Sequence, residues 1–334
     1  MRKLNTYIRF YECCIPIIGY KRAAIYDLQR SQVYFASNEL IELIINTKEK
    51  TLGEIYTENN FQIGTLKKQL KYLLKNELIF FTLNPENFLE LNKTIRKPNI
   101  IEFIYLKIDK ISPEKINFLS NIDKTGANNL ILISSTFIKV DEILKILKSS
   151  KIKSINLVGK YDKLNFDKIK KIITNDSRIR RCVFYESKED INNLEYIKFT
   201  IKNLNQIFDN GISSILDLTV NIEAYIESLN FNLFYYQKIF IENNGDIFKF
   251  YGDSQILGNV YSDDLLDIVK TNKSLNDFWE VTKDLIEECK ICEFRYICPD
   301  NRVFIKKNDY KFMHNTPCIY NPKNNKWNEK NIIS

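Results

Sequence analysis

Four cysteines near the carboxyl end of the sequence decide how the fold is interpreted. Three of them lie in Cys289-Lys-Ile-Cys292-Glu-Phe-Arg-Tyr-Ile-Cys298-Pro-Asp-Asn-Arg302, and Cys318 completes the spacing Cys-x2-Cys-x5-Cys-x19-Cys. Three thiolates from one tight loop and a fourth from a distal point suit a closed site for Zn²⁺ or for an iron–sulfur cluster. The spacing therefore predicts a metal site, because the remaining cysteines are scattered: Cys13, Cys14 and Cys182.

Composition argues against several other functions. The chain has 334 residues and a net charge of +7, and no block of Lys or Arg resembles a nucleic-acid-binding arm. No run approaches the roughly 18 apolar residues that a membrane helix needs. Only 9 glycines are present, without a Walker loop or a Rossmann fingerprint, so ATP is not expected to bind by either route. We expect neither a nucleic-acid partner nor a membrane, and a cytoplasmic protein whose clustered cysteines bind metal.

The first 85 residues predict one compact unit. Apolar or alternating runs at 7–18, 23–28 and 32–35 predict three short strands. Three helices follow, the second opening with the capping box Thr51-Leu-Gly-Glu54 and the third carrying a Leu/Ile stripe over 63–74. A closing strand is expected at 78–82.

The central part of the chain predicts alternating strands and helices. Helices are expected at 140–147 and 166–173, and a mostly parallel sheet follows from this rhythm. Because the rhythm is uneven after residue 200, we expect a partial barrel, not a closed eightfold one. The predicted strands are 100–108, 130–134, 154–158, 181–185, 196–200 and 215–220.

The last part of the chain carries the cysteines. Asn243-Asn-Gly245-Asp246 between two apolar runs predicts a β-hairpin. Helices are expected at 263–270 and 274–289, directly before the cysteine loop.

The run from Gly245 to Cys318 resembles the SPASM domain, a cluster-binding extension of many radical SAM peptide-modifying enzymes. The domain's other cluster would need thiolates where this chain has Phe250 and Arg302, so the resemblance implies a single cluster. From the residues alone, Zn²⁺ stays open as the alternative metal. The resemblance implies one [4Fe–4S] cluster on Cys289, Cys292, Cys298 and Cys318.

The central region lacks the Cys-x3-Cys-x2-Cys motif of radical SAM barrels, since residues 100–130 contain no cysteine. Without three thiolates at an open iron, reductive cleavage of S-adenosylmethionine has no chemical basis. We therefore expect a barrel relic, and S-adenosylmethionine is not an expected cofactor.

The N-terminal unit resembles the winged-helix recognition element of peptide-maturation systems, through the stretches from Val33 to Ile44, 51–55 and 66–78. In that family a leader peptide adds as a strand beside the third strand and packs on the third helix. The resemblance implies that the peptide is bound by Val33, Tyr34, Phe35, Leu66 and Leu70.

Taken together, the two ends of the chain resemble the SPASM-domain peptide maturases of grasp-with-spasm systems. The resemblance implies a leader-recognition element at 1–85, a degraded radical-SAM-like partial barrel at 99–228 and a SPASM domain at 229–334. It also implies a part in the maturation of a ribosomally synthesised peptide, with a precursor peptide and an ATP-grasp ligase as partners. No catalytic residue is identified, and whether the chain is itself an enzyme stays open. The alternatives are a redox-active peptide-modifying enzyme and a zinc-stapled winged-helix regulator.

Further side chains near the cysteines invite interpretation. Two interpretations are open for the charged residues of the loop, Arg295, Asp300 and Arg302. They contact the metal ligands, or they fix the loop by an ion pair. His314, the only histidine, is expected on the surface, with a role at the metal as the alternative.

The three remaining cysteines suggest no second site. On a strand, adjacent residues such as Cys13 and Cys14 point to opposite faces and cannot chelate one ion together. Cys182 lies in an apolar run and is expected to be a buried small hydrophobe.

Overall fold

The computed structural model describes residues 4–58, 63–94, 97–135, 140–162, 170–171, 175–194, 196–208, 211–308 and 311–328. The strands are, in chain order, β1 (Tyr7–Phe10), β2 (Cys14–Ile18), β3 (Ala23–Asp27), β4 (Gln32–Ala36), β5 (Ile79–Thr82), β6 (Phe103–Lys107), β7 (Asn129–Ser134), β8 (Ser154–Lys160), β9 (Ile179–Tyr185), β10 (Ile191–Leu194), β11 (Ile197–Phe199), β12 (Lys238–Ile241), β13 (Asp246–Phe248), β14 (Gly258–Asn259), β15 (Phe304–Asn308), β16 (Lys311–His314), β17 (Tyr320–Asn321) and β18 (Lys326–Trp327). The helices are α1 (Asn38–Asn46), α2 (Leu52–Glu58), α3 (Ile63–Lys75), α4 (Pro113–Ser120), α5 (Val140–Ile146), α6 (Leu204–Phe208), α7 (Ile222–Ser228), α8 (Leu265–Thr271) and α9 (Lys273–Trp279).

The chain folds into two compact units, each built from separate stretches. Unit 1 comprises Met1–Ile95, Gly211–Phe234 and Val281–Ser334, and unit 2 comprises Arg96–Asn210 and Tyr235–Glu280. Residues of the predicted range 229–334 are thus divided between the units, and the cysteine loop folds with the N-terminal residues. The assignment of 1–85, 99–228 and 229–334 as three domains stays a prediction.

A three-stranded antiparallel sheet, β2-β3-β4, lies at the centre of unit 1. All five residues of β3 are buried, because both faces of this sheet are covered. Ala23 and Ile25 point to one side, and Ala24 and Tyr26 point to the other, as strand geometry requires. The sheet therefore separates two apolar clusters of the unit.

The first of these, the helical cluster, joins the sheet to three helices and to the β1–β5 pair. The apolar stripe of α3 enters this cluster with Leu66, Leu70 and Leu73. The second, the cysteine-side cluster, contains Phe294 and Ile297 from the cysteine loop and residues of α7. One sheet thus supports both the helical layer and the cysteine loop.

Unit 2 contains a nine-stranded sheet in the order β10-β11-β9-β8-β7-β6-β12-β13-β14. The pairs from β11 to β12 are parallel, and the outer pairs are antiparallel. The two outermost strands have one partner each among the described residues, so the sheet is open. The predicted α/β class with a mostly parallel central sheet is confirmed, and a partial barrel is consistent with it. The winged-helix and SPASM assignments stay predictions.

Aromatic side chains fill one face of this sheet. Tyr105 packs edge-on to Phe208, with ring centroids 6.0 Å apart, and Phe208 stacks on Tyr251 at 4.7 Å.

Cys182 of β9 is fully buried, which confirms its interpretation as a small hydrophobe.

Three predicted elements differ from the structure. Residues 215–220 form no strand, because Ser214 and Asp217 cap a short 3-10 turn, Ile215–Asp217. The helix expected at 274–289 already ends at Trp279, where two buried β-branched residues, Val281 and Thr282, follow in the chain. The run at 7–18 forms two strands, β1 and β2, not one. Most of the helix predicted at 166–173 lies outside the described residues.

Among the described residues, no helix combines the length and the apolar character that a membrane span requires.

Candidate metal centre

The four cysteines predicted as ligands line one cavity of about 1000 Å³ in unit 1. Cys289 and Cys292 lie on consecutive turns, since the Cys289 N–H donates to Ile286 O and the Cys292 N–H donates to Cys289 O, at 3.0 and 2.9 Å. Cys298 is buried, and Cys318 comes from the segment between β16 and β17. The structure thus brings all four side chains to one place, and their role as ligands stays a prediction.

The structure does not bring three of these sulfurs as close together as one zinc ion would require. Two sulfurs bound to one Zn²⁺ at about 2.3 Å cannot be more than about 4.6 Å apart. Among the described residues, these four cysteines do not belong to any group of three potential ligand atoms within 4.8 Å of one another. A [4Fe–4S] cluster binds each thiolate through a different iron, so its ligands stand further apart. Four thiolates are a donor set that an iron–sulfur cluster accepts, and a cluster on these residues stays a prediction.

Backbone amides already point at two of the sulfurs. The Phe294 N–H donates to Cys292 Sγ at 3.4 Å, and the Tyr320 N–H donates to the Cys318 thiol and lowers its pKa, although burial raises that pKa overall. Burial likewise raises the pKa of Cys289 to about 12, against the opposing effect of Lys283. Metal binding must then release thiol protons at neutral pH, which couples it to pH.

A buried ionic network lies beside the cysteines and lines the same cavity. Asp300 accepts from Arg302 Nη2 at 2.6 Å and from Lys283 Nζ at 3.2 Å. His314 Nε2 is 3.4 Å from the same carboxylate oxygen, and Arg302 Nη1 also donates to Thr316 O at 2.5 Å. Asp300 thus joins two cations and the imidazole in the buried interior.

The network carries net positive charge. Burial disfavours ionisation of Asp300, but Lys283 and Arg302 outweigh it and lower the pKa of that carboxyl well below its usual range. Burial and Lys283 lower the pKa of His314 to about 3, so the ring is neutral at pH 7. Two cations therefore face one carboxylate. The resulting net positive charge complements the negative charge of thiolate ligands.

The structure places the three predicted supporting residues in two different roles. Asp300 and Arg302 form the predicted ion pair, and both are buried. Arg295 donates from Nη1 to Cys292 O at 3.0 Å and to Ile18 O of β2 at 2.9 Å. The surface position expected for His314 is wrong, because the ring is buried against Asp300 and Lys283.

Sequence reasoning missed the tie between the cysteine loop and the β2–β3 hairpin. Glu293 is fully buried and accepts from Arg22 Nε at 2.8 Å and from the Tyr320 hydroxyl at 2.5 Å. The Tyr26 hydroxyl donates to the Glu293 carbonyl, and the Arg22 guanidinium lies 3.6 Å from the centroid of the Phe35 ring. A carboxylate between Cys292 and Phe294 in an apolar loop was the available signal.

The predicted peptide-binding strand β4 forms one edge of the three-stranded sheet. Within the described part of the chain it pairs with β3 alone. Tyr34 packs on the helical cluster, whereas Val33 and Phe35 pack on the cysteine-side cluster. The strand thus offers an unpaired backbone edge, the feature that strand addition needs.

The two leucines predicted to contact a peptide lie in the core instead of on the surface. Leu66 is 4% exposed and Leu70 is 2% exposed. The exposed neighbours on α3 are Lys67 and Lys71. Peptide binding by the two leucines stays a prediction, and in this structure they support the face on which Tyr34 packs.

A scan against protein-family models finds no match for this chain, and a comparison with curated proteins finds none either. Among solved structures, the chain is similar to Streptococcus suis SuiB bound to S-adenosylmethionine, at 12% identity and a TM-score of 0.32 over 87% of this chain and 94% of that chain. SuiB bound to the precursor peptide SuiA gives 12% identity and a TM-score of 0.34 over the same shares. BtrN in an open conformation gives 9% identity and a TM-score of 0.35, over 59% of this chain and 94% of that chain. Each of these is a remote likeness of fold.

Proposed function

We propose that this chain is a component of a ribosomally synthesised peptide maturation system. It binds the leader of a precursor peptide at the edge of β4, carries one auxiliary [4Fe–4S] cluster and acts with an ATP-grasp ligase. The observation that carries the proposal is the position of β4. Among the described residues it pairs with β3 alone, at the edge of a sheet whose two faces are covered by the helical cluster and the cysteine-side cluster.

A peptide strand added at β4 would continue both faces of the sheet. Its side chains would alternate, so that every second one follows Tyr34 towards the helical cluster. The others would follow Val33 and Phe35 towards the cluster that includes Cys292 and Cys318. The backbone edge would supply affinity, and the two faces would supply specificity.

The cysteines and their surroundings support the metal part of the proposal. Cys289, Cys292, Cys298 and Cys318 would hold the cluster, which supplies one-electron transfer when bound. Lys283 and Arg302 supply positive charge beside the thiolates, and Asp300 keeps both cations in place. Phe294 and Tyr320 donate backbone N–H groups to the sulfurs.

Ligation would be the work of the partner. The sequence has no phosphate-binding loop, so the ATP-dependent step falls to an ATP-grasp ligase. The cytoplasm, where thiols stay reduced, is the compartment we propose.

The metal assignment is tested on anaerobically purified protein. We expect about four irons and four sulfides per chain, as a [4Fe–4S] cluster requires. Cys292→Ala should lose them, whereas Cys182→Ala, which removes a buried thiol of β9, should retain them. A colourless wild type with one zinc per chain would refute the cluster.

The recognition assignment is tested separately by fluorescence anisotropy with a labelled synthetic leader of the precursor peptide encoded beside this chain. Binding should depend on β4 and survive in Cys182→Ala. Absence of saturable binding to the wild-type protein would refute leader recognition, whatever metal is present.

A further inference from the structure

Three potential ligand side chains converge at one end of the β2–β3 hairpin. The ligand atoms of Cys13, Cys14 and Asp27 all lie within 4.8 Å of one another. Among the described residues, no other group of three Cys, His, Asp or Glu side chains meets this condition. Zinc–sulfur bonds of about 2.3 Å and zinc–oxygen bonds of about 2.0–2.2 Å need ligand atoms this close.

The structure does not place Cys13 and Cys14 on opposite faces of a strand, which is the reason for expecting that they cannot bind one ion together. Cys14 is the first residue of β2, whereas Cys13 belongs to the turn before it. The strict alternation of a strand therefore does not apply to the pair, and both sulfurs reach the same side.

The antiparallel ladder holds the three residues in place. Cys14 and Asp27 are direct partners in the β2–β3 register, and each is 1% exposed. The Cys13 carbonyl accepts the Leu28 N–H at 2.9 Å, which fixes the turn against the end of β3. The arrangement is thus preorganised by backbone pairing, which lowers the ordering cost of binding.

A cation bound here would join an existing ion pair and would have to displace the thiol proton of Cys14, because burial raises the pKa of that thiol. Arg30 donates its N–H to Asp27 Oδ1 at 2.9 Å, and its guanidinium lies 3.4 Å from Oδ2. Asp27 therefore already caps the turn after β3. With two thiolates present, the three ligands would carry three negative charges, Arg30 would reduce the net charge to two negative charges, and one divalent cation would neutralise these.

The choice of cation follows from the donors. Two thiolates and a carboxylate select thiophilic ions over Mg²⁺ or Ca²⁺. Cys13 is half-buried, so a fourth ligand can come from water or from Gln29, whose Oε1 accepts from Cys13 Sγ at 3.7 Å. We infer that Cys13, Cys14 and Asp27 form a second metal site, for Zn²⁺ or Cd²⁺, independent of the four cysteines near the carboxyl end.

The test is a Cd²⁺ titration of the full-length, anaerobically reconstituted protein, with bound metals counted by mass spectrometry after desalting. We expect Cys13→Ala to bind one Cd²⁺ fewer per chain than the wild type. Cys182→Ala should bind as many as the wild type. Cadmium–thiolate absorption should fall in Cys13→Ala in the same proportion, and the iron content should not change.

Two further readouts guard against a folding artefact. Cys13 is half-buried at the margin of the helical cluster, so Cys13→Ala should change the unfolding midpoint without Cd²⁺ only slightly. Asp27→Asn should weaken Cd²⁺ binding at least about tenfold. Equal Cd²⁺ counts in the wild type and in Cys13→Ala overturn the site, whether or not the cluster near the carboxyl end is present.

Discussion

Arg22 and Glu293 are 271 positions apart in the chain, yet Arg22 Nε donates to Glu293 Oε1 at 2.8 Å. The Glu293 side chain is fully buried, and the Arg22 side chain is one quarter exposed. The pair joins the β2–β3 hairpin to the cysteine loop. Because the Glu293 carboxylate is buried, it depends on the Arg22 guanidinium as its counter-charge.

Arg22→Met should destabilise unit 1 by about 3–5 kcal/mol, because it leaves the buried Glu293 carboxylate without a cation. Lys50→Met is the matched control, since Lys50 pairs with Glu58 on the surface and such pairs contribute at most about 1 kcal/mol. Urea titrations followed by Trp327 fluorescence in a Trp279→Phe background measure the free energy of unfolding of unit 1. Equal effects of the two substitutions would contradict the prediction.

Gly19→Ala should also destabilise unit 1, by about 1–3 kcal/mol. A Cβ at this position would lie 2.6 Å from the Arg22 carbonyl oxygen and 2.8 Å from Glu293 Cβ, so the hairpin would be pushed off the cysteine loop. Iron retention should fall with stability.

Gly64→Ala serves as the control for Gly19→Ala. Outside its own helix backbone, a Cβ on Gly64 meets no atom of the described residues within 4 Å. Because the residue lies in α3, alanine should stabilise the protein by about 0.5–1 kcal/mol. Both variants are measured by urea denaturation and iron content. Two shifts of the same sign would show that the close approach at Gly19 is not what limits substitution there.

Tyr34→Pro and Phe35→Pro separate peptide binding from folding. Adjacent residues of an antiparallel strand direct their N–H groups to opposite edges, so only one of the two can donate to β3. Both substitutions remove a ring that packs on a cluster, so both should lower stability, and proline at the position facing β3 should lower it more. Proline at the position facing the open edge should abolish leader binding with the smaller loss of stability. Fluorescence anisotropy and thermal unfolding are measured on both. Two folded variants with wild-type affinity would exclude strand addition at β4.

Asp109 should make unit 2 sensitive to acid. Burial raises the pKa of this carboxyl, but hydrogen bonds from the Ser135 N–H and hydroxyl and from Asn243 outweigh it, and the pKa is lowered. The stabilisation is present above the unfolded-state pKa of about 3.9 and is lost as the pH falls further, towards the folded-state pKa. Asp109→Asn should therefore flatten the loss of stability with acid.

The measurement uses Trp279 fluorescence in a Trp327→Phe background, with urea titrations above and below about pH 4. Asp277→Asn, which alters an exposed carboxyl of α9, is the control and should leave the slope of stability with pH unchanged. An unchanged slope in Asp109→Asn would assign the acid sensitivity to other groups.

Local patterns explain which elements could be predicted from the sequence. The strands of the central sheet and the apolar stripe of α3 could be predicted from apolar periodicity. The side chains of each element are buried on one or two of its faces, and this pattern is visible within the element's own sequence. The helix expected at 274–289 fails because periodicity cannot show that Lys283 must reach Asp300. The turn at Ile215–Asp217 depends on caps by Ser214 and Asp217, a short-range signal that apolar content concealed.

The candidate site could be predicted only in part. The cysteine spacing points to one place in the fold, since three of the four residues are close in sequence. Arg22 and Glu293 could not be paired beforehand, because the charge of a residue carries no information on its burial or on a distant partner. The proximity of Cys13, Cys14 and Asp27 depends on the exact start of β2, where sequence-based boundaries are least certain.

The covered faces of the β2-β3-β4 sheet have a consequence for biosynthesis. During translation the hairpin that carries Arg22 emerges long before Glu293 and the cysteine loop. All of unit 2 emerges between the two. Until then residues 218–229 can cover only part of one apolar side of the nascent sheet, which reverses the usual order in which N-terminal structure is completed first. Unit 1 can thus be completed, and the four cysteines near the carboxyl end can receive metal, only at a late stage of synthesis. The demand for chaperones should be greatest before that point.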